Sequence, residues 1–400
     1  MKSRINAICA CIAAVVLFFI LFDSRGPEAT WDIWNVPYMF PHFADARVIT
    51  HGAESYAAGY DPMIENPADP WGRPLNYPRV WQLLFALGID STCTNLLGFT
   101  LIVSFFVGIC LLLPKVKNRT LFVILLSILS PSTLLCFERG NIDLFIFFLI
   151  TLAVTSVKRS SMFAALVIGL AFMLKLYPIF AWLFLIGLGR EKFLRYSAVL
   201  FVVAMLYTLA TMEDICLLSI TTPRSNFLSY GTNVYWMSIL ERDANWGAIV
   251  KIISHLLLLP FLYFAIQGLR RRDFPAAAAD APLNLDAFRA GSAIYVGTFF
   301  LGNNWDYRLS FLILTLPQLV AWTRHPGHIA LLSKLTLAAI LLSFWHMFIV
   351  KLFRQVPDGY LIAFTFDELC NWFAFFTLAY FLAWSAPSWT KDFFSRRSTQ

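Results

Sequence analysis

The feature that most constrains this chain is a succession of apolar runs, each close to the length a helix needs to cross a bilayer. They begin at roughly residues 5, 96, 120, 142, 162, 176, 196, 247, 288, 309, 329 and 360, and a helix spans the ~30 Å hydrocarbon core in about twenty residues. Backbone polar groups in lipid are satisfied only inside helices or closed barrels, and continuous runs without a period of two favour helices. The expectation is an all-α integral membrane protein, a polytopic bundle of about twelve transmembrane helices forming a single membrane domain over 1–400. Composition agrees, with 59% hydrophobic and 14% charged residues against ~25% charged in soluble domains. That excludes a disordered chain, a nucleic-acid binder and a cytosolic enzyme.

The first run follows Lys2 and Arg4 and reads as a retained anchor rather than a cleaved secretory signal. No small-residue cleavage site closes it, and Phe18, Phe19 and Phe22 prolong it. Cys9, Cys11, Cys93, Cys110, Cys136, Cys216 and Cys370 lack metal-like spacing and read as small hydrophobes.

With a cytoplasmic N-terminus and one crossing per run, the inner connections carry Lys115/Lys117/Arg119, Lys158/Arg159, Arg190/Lys192/Arg195, Arg270/Arg271/Arg272, Arg324 and Lys391/Arg396/Arg397. Most of the 31 basic residues then lie inside although the longer loops lie outside, as the positive-inside rule expects. The same frame sends every other polar interruption to the outer face: 23–95, Glu138 to Asn141, Lys175 to Pro178, the loop 211–246, and Asn303 to Arg308. Their convergence predicts one outward-facing site in a multi-pass protein of the cell inner membrane.

The first outer loop, 23–95, is broken by Pro27, Pro37, Pro41, Pro62, Pro67, Pro70, Pro74 and Pro78 and interleaved with aromatic residues suited to the headgroup level. Within it a helix is expected from Asp45 to roughly Ala58, ended by Gly59 and Pro62. Asp45 in its first turn is on one reading an ordinary partner of the helix dipole. At the span ends, Arg139 and Asp143 flank Gly140-Asn141, and Lys175 separates two apolar runs. Arg79, Arg139, Lys175 and Arg308 together would offer guanidinium and ammonium groups at the depth of a lipid phosphate. Each alone reads equally as a snorkelling headgroup anchor. Deeper still, Asp367, Glu368 and His346 interrupt apolar runs. Buried carboxylates there need a cavity or a partner, so these three carry the alternative of a polytopic transporter or lipid flippase. His42 and His51 flank Asp45 too loosely for a metal site.

Several of these segments resemble glycosyltransferase family 87. They are Asp45 through Gly59-Tyr60-Asp61-Pro62, Tyr77-Pro78, Gly140-Asn141-Ile142-Asp143, the Gly169-Leu170-Ala171 helix leading to Lys175-Leu176-Tyr177-Pro178, and the Tyr307-bearing loop before an apolar run ending near Pro317. The family includes polyprenyl-phosphate-mannose-dependent mannosyltransferases and belongs to the GT-C superfamily. The resemblance implies a GT-C-type bundle whose first outer loop carries the catalytic base, here Asp45, over a cavity for a lipid-linked sugar. This chain departs from the family pattern at Ala46, Ile49, Arg79 and the Asn303 to Arg308 motif.

On that reading Asp45 takes the proton of an acceptor hydroxyl on a glycolipid or glycan, and the sugar transfers with inversion. Lys175, Arg308, Arg139 and Arg79 hold the donor phosphate. Tyr307, Asn141, Asn304, Tyr177 and His346 bond sugar or acceptor, and Trp71 or Trp305 stacks on a sugar face. A phosphate is a good leaving group, so one base suffices and no metal or other cofactor is required.

Overall fold

In a computed structural model, the chain is described for residues 13, 20–21, 23–113, 117–274 and 282–395. Lys2, Arg4, Lys115, Arg396 and Arg397, and all but three positions of the first apolar run, lie outside the described residues. The structure is built almost wholly of helices. Among the described residues the sheet consists of two two-residue strands, Ser229–Tyr230 and Asn304–Trp305, antiparallel with Ser229 opposite Trp305 and Tyr230 opposite Asn304.

Four described helices are long and apolar enough to cross a bilayer: Ser91–Leu112, Arg190–Ala210, Ala244–Arg270 and Gly359–Trp384. Two bent pairs, Asn118–Ile128 with Pro131–Arg139 and His328–Phe344 with His346–Leu352, bring the number to six if each pair is one span. Twelve full-length spans were expected from the apolar runs. The difference has a local cause. The two runs that Lys175 separates form only the helix Ser161–Leu174 and the 3-10 segment Tyr177–Leu188, with Pro178 in the latter's first turn, each shorter than a full span. The run after Arg308 is likewise a 3-10 segment, Asp306–Thr315, continuing into Leu316–Trp322. Ser130 caps a fresh helix at Pro131, its hydroxyl accepting the Thr133 N–H at 3.3 Å, so hydropathy persists there while the helix axis turns by 53°.

Burial separates two classes of helix. Arg190–Ala210 and Ala244–Arg270 leave Leu194, Phe201, Leu206, Ile252, Leu259 and Tyr263 outward, as a lipid-facing helix should. Gly359–Trp384, Pro282–Phe300 and Asp306–Thr315 are buried instead. Their aromatic side chains interlock: Phe299 stacks on Phe375 at 4.3 Å between ring centroids, and Tyr230 on Tyr295 at 5.0 Å. This core carries the polar ends of the shorter helices at one end.

The first loop folds over those ends. Its helix runs Ala44–Ala57, as its sequence pattern indicates, and Gly59 follows in the left-handed region at φ +92°. Asn66 holds the loop against this helix, donating to the Val48 carbonyl at 3.3 Å and accepting from the Ser55 hydroxyl at 2.7 Å. Among the contacts that moor it to the bundle are those of Trp81 and Arg79. Trp81 Nε1 donates to the Leu174 carbonyl at 3.0 Å, one residue before Lys175. Arg79 bonds Asp61 and Asp214, joining the loop to the 211–246 segment.

Candidate active site

The placement of Asp45 begins with Phe43. Phe43 precedes the helix in the left-handed conformation, φ +61°, and its backbone N–H donates to the Glu138 carbonyl at 3.2 Å. Its ring lies against Gly98 and Gly140. A Cβ at Gly98 would fall 2.6 Å from that ring, and one at Gly140 would fall 3.0 Å from it. Gly140 also turns the chain at φ +56°, ending the helix Pro131–Arg139 and delivering Asn141 and Asp143 to the start of Asp143–Ser156. One residue thus registers the loop helix against the bundle and sets Asp45 above Asn141.

From Asp45 a connected polar network descends. Asn141 Nδ2 donates to Asp45 Oδ2 at 2.5 Å, and Lys175 Nζ donates to Asn141 Oδ1 at 3.1 Å. Lys175 Nζ also donates to Asp143 Oδ1 at 2.5 Å, where the Tyr177 hydroxyl donates at 2.6 Å. Arg308 Nε lies 3.5 Å from the other Asp143 oxygen, and its NH1 donates to Asn304 Oδ1 at 2.6 Å. Three tyrosine faces surround the ammonium, with Tyr77, Tyr307 and Tyr177 centroids 5.2, 5.8 and 5.9 Å away. Burial, reinforced by the Asp45 carboxylate, pushes the Tyr77 phenol well above its ordinary pKa, so it stays a hydrogen-bond donor.

Charge is unevenly distributed here. Lys175 and Arg308 share one buried carboxylate, Asp143, which leaves an excess positive charge at that end. Arg139 pairs with its neighbour Glu138 at 2.8 Å. Asp45 keeps one oxygen committed to Asn141, while Oδ1 has Arg73 NH1 at 3.6 Å. A cavity of about 400 Å³ connects these groups, lined by Asp45, Arg73, Tyr77, Arg139, Lys175, Tyr177, Trp305, Tyr307 and Arg308, with Leu176, Leu218 and Leu301 on its apolar side.

Other residues singled out in the sequence lie elsewhere. Arg79 is drawn away by Asp61 and Asp214, whose hydrogen bonds raise its pKa, and it borders a different cavity. Trp71 lies under the Arg73 guanidinium at 4.6 Å and so braces a cavity-lining residue from behind. Asn304, in a strand, donates to the Thr298 carbonyl and orients Arg308. His346 is buried beside Asp306 and Asp367, away from the Lys175 cavity. Arg73 is the residue sequence reasoning missed. Asp69 fixes it locally, accepting the Trp71 and Arg73 backbone N–H groups at 3.1 and 3.0 Å as well as the guanidinium. The Asp-x-Trp-x-Arg spacing of that turn was the available signal. Among the described residues no three His, Cys, Asp or Glu side chains converge as a metal site would require.

An acid lining a cavity together with Lys175, Arg308 and several leucines suits chemistry on an anionic, partly lipidic substrate. Neither a curated protein nor a solved structure matches the chain. A family model, that of glycosyltransferase family 87, matches residues 83–285, about half of the sequence. The chain therefore belongs to glycosyltransferase family 87.

Proposed function

We propose that this glycosyltransferase moves a sugar, mannose by its family resemblance, from a polyprenyl-phosphate carrier to an acceptor hydroxyl, inverting the anomeric carbon. The reaction takes place on the extracytoplasmic face of the cell inner membrane, in a GT-C-type bundle. One observation carries the reading: Asp45, whose Oδ1 lies 3.6 Å from Arg73 NH1, lines the same cavity as Lys175 and Arg308. Its volume of about 400 Å³ suits a phosphosugar headgroup, and the leucines beside it suit the start of a prenyl chain.

Asp45 accepts the acceptor's hydroxyl proton while that oxygen attacks the anomeric carbon. The bond from that carbon to the phosphate oxygen breaks, and both its electrons leave with the phosphate. A phosphodiester with one negative charge becomes a phosphate monoester with a second. Lys175 and Arg308, with one carboxylate between them, gain most from the added charge, so they favour the transition state over the bound donor. Arg139 and Arg73 flank this phosphate position. Asn141 holds the other Asp45 oxygen, and Tyr307, Tyr177 and Trp305 wall the sugar. Asn304 acts through Arg308, and Trp71 acts through Arg73.

The alternative of a transporter or flippase rested on Asp367, Glu368 and His346. The family assignment favours the transferase, and coupled transport leaves the Asp45 network unexplained. Purified protein incubated with membrane lipid extract and either radiolabelled polyprenyl-phosphate-mannose or a nucleotide-linked mannose tests the reading. Label should reach a new acceptor from the lipid-linked donor alone. Transfer from the nucleotide sugar, or movement of the lipid without transfer, would overturn it.

A further inference from the structure

A transferase needs a place for its second substrate, and a second cavity, of about 560 Å³, shares a wall with the first. Tyr38 lines the second and Met39, the next residue, lines the first. Leu228 lines the second, and its carbonyl accepts the N–H of Asp306 at 2.9 Å, between Trp305 and Tyr307 of the first.

The floor of this second cavity is His346, only 3% exposed. Its Nδ1 faces Asp306 Oδ2 at 3.3 Å and Asp367 Oδ2 at 3.7 Å, which leaves Nε2 as the ring nitrogen available to the cavity. The two carboxylates on the Nδ1 side attract that edge of the ring electrostatically and leave Nε2 as the edge turned to a hydroxyl. Tyr38 and Tyr360, 39% and 37% exposed, line it as well, with Asp32 and Asn35. The nearby cations are already engaged: Lys351 pairs with Asp32 at 2.9 Å, and Arg354 donates to Asn35 Oδ1. Behind His346, Asp306, Asp367 and Glu368 are all buried, and neither Glu368 carboxylate oxygen has a hydrogen-bond partner among the described residues. Three buried carboxylates behind His346 outnumber Arg354, the lining cation whose bond to the neutral Asn35 amide leaves its charge uncompensated, and so disfavour an anion. Aromatic faces with hydroxyl-seeking polar groups favour an uncharged sugar ring.

We infer that this cavity holds the non-reacting part of the acceptor, a neutral, hydroxyl-rich sugar group, with the His346 Nε2 edge bonding one of its hydroxyls while the reacting hydroxyl extends past the shared wall to Asp45. The inference rests on the transferase reading above, and it separates the substrates by charge: phosphate on the Lys175 side, polyol on the His346 side. The sugar group belongs either to a glycolipid or to a free glycan end, since the recognising chemistry is the same.

Photolabelling of the full chain in nanodiscs tests it without requiring turnover. The probes are a diazirine-bearing octyl α-mannoside and a diazirine-bearing farnesyl phosphate. The mannoside should label peptides around 32–38 and 346–360, and the phosphate peptides around 73–77 and 305–308. His346→Leu should cut mannoside labelling about tenfold, the loss expected of one directed hydrogen bond to a polar partner. His346→Gln, whose amide reaches the Nε2 position, should recover most of it, and Tyr360→Ala, at the rim, should lower it with the fold intact. Farnesyl phosphate labelling should persist in all three variants. Competition by methyl α-mannoside supports a free glycan, and competition by octyl mannoside but not methyl mannoside supports a glycolipid. Competition by octanol alone, mannoside labelling in the Lys175 cavity, or labelling unchanged by His346→Leu and Tyr360→Ala would overturn the inference. Loss of phosphate labelling at 305–308 in the wild type would instead count against the donor reading.

Discussion

Asp143→Asn gives the sharpest test of the charge arrangement. The Asp143 side chain is fully buried, accepts from Lys175 and Tyr177, and lies 3.5 Å from Arg308. An asparagine keeps the shape and one acceptor oxygen but removes the only carboxylate shared by the two cations. Removing one partner of a buried ion pair costs about 3–5 kcal/mol, because the surviving charge stays desolvated. At about 1.4 kcal/mol per decade, the folded-to-unfolded ratio falls by about two to three and a half orders of magnitude. A phosphate in the cavity would replace the lost charge, so farnesyl phosphate should stabilise Asp143→Asn by more than it stabilises the wild type. Thermal unfolding in detergent, with and without farnesyl phosphate, reads both effects. The double variant Lys175→Met/Asp143→Asn should lose less than the sum of the single losses, since each charge is costly chiefly when left alone. A wild-type midpoint for Asp143→Asn, or an equal ligand increment in both proteins, would refute the idea that these cations are poised for an anion.

Lys175→Met should raise the half-saturating donor concentration by about ten- to a hundredfold, the worth of one charge-assisted hydrogen bond, with the acceptor dependence little changed in the same transfer assay. Gly98→Ala places a methyl 2.6 Å from the Phe43 ring. It should destabilise by about 1–3 kcal/mol and, by shifting Asp45, slow transfer at saturating substrates; an unchanged rate would break the link between Phe43 and Asp45. Arg79→Gln should leave donor saturation untouched while weakening the mooring of the first loop by no more than about 1 kcal/mol, since the Arg79 pairs are partly exposed. The same variant has a pH signature. Burial raises the Asp61 pKa, but the hydrogen bonds from Arg79 and the Met63 N–H, with the Arg79 charge, together outweigh it and hold the group below its ordinary value. Its stabilisation is therefore present above the ordinary carboxylate range and is lost as pH falls through the depressed value. Loop proteolysis measured across that acid range should respond to pH less steeply in Arg79→Gln.

The membrane class was legible because hydropathy alone decides it, and the Asp45 helix was legible from its glycine and proline punctuation. The number of full-length spans was not, because Lys175, Pro178 and Pro131 break helices without lowering the apolar average around them. The sequence placed polar groups at the same ends but not their partners. Arg139 and Asp143 stand four residues apart in the sequence with no partner indicated; Arg139 turns to Glu138, and Asp143 meets Lys175 and Arg308 from elements far apart in the chain. Arg79 seemed equivalent to the other cations until Asp214, 135 residues away, supplied its competing acid. The His346 cluster shows the same limit from the other direction. His346, Asp367 and Glu368 stood out as costly buried ions, but the fourth member, Asp306, was hidden inside the Asn303 to Arg308 motif, where it turns to His346 while Trp305, Tyr307 and Arg308 line the first cavity.

Single-turnover transfer by Asp45→Asn, set beside direct binding of polyprenyl-phosphate-mannose, bears most directly on the whole account. The amide preserves the hydrogen-bonding shape beside Asn141 but cannot take a proton. Binding should match the wild type while the transfer step slows by about 10²–10⁴-fold, the range a general base contributes. Transfer at the wild-type rate by that variant would contradict the assignment of Asp45.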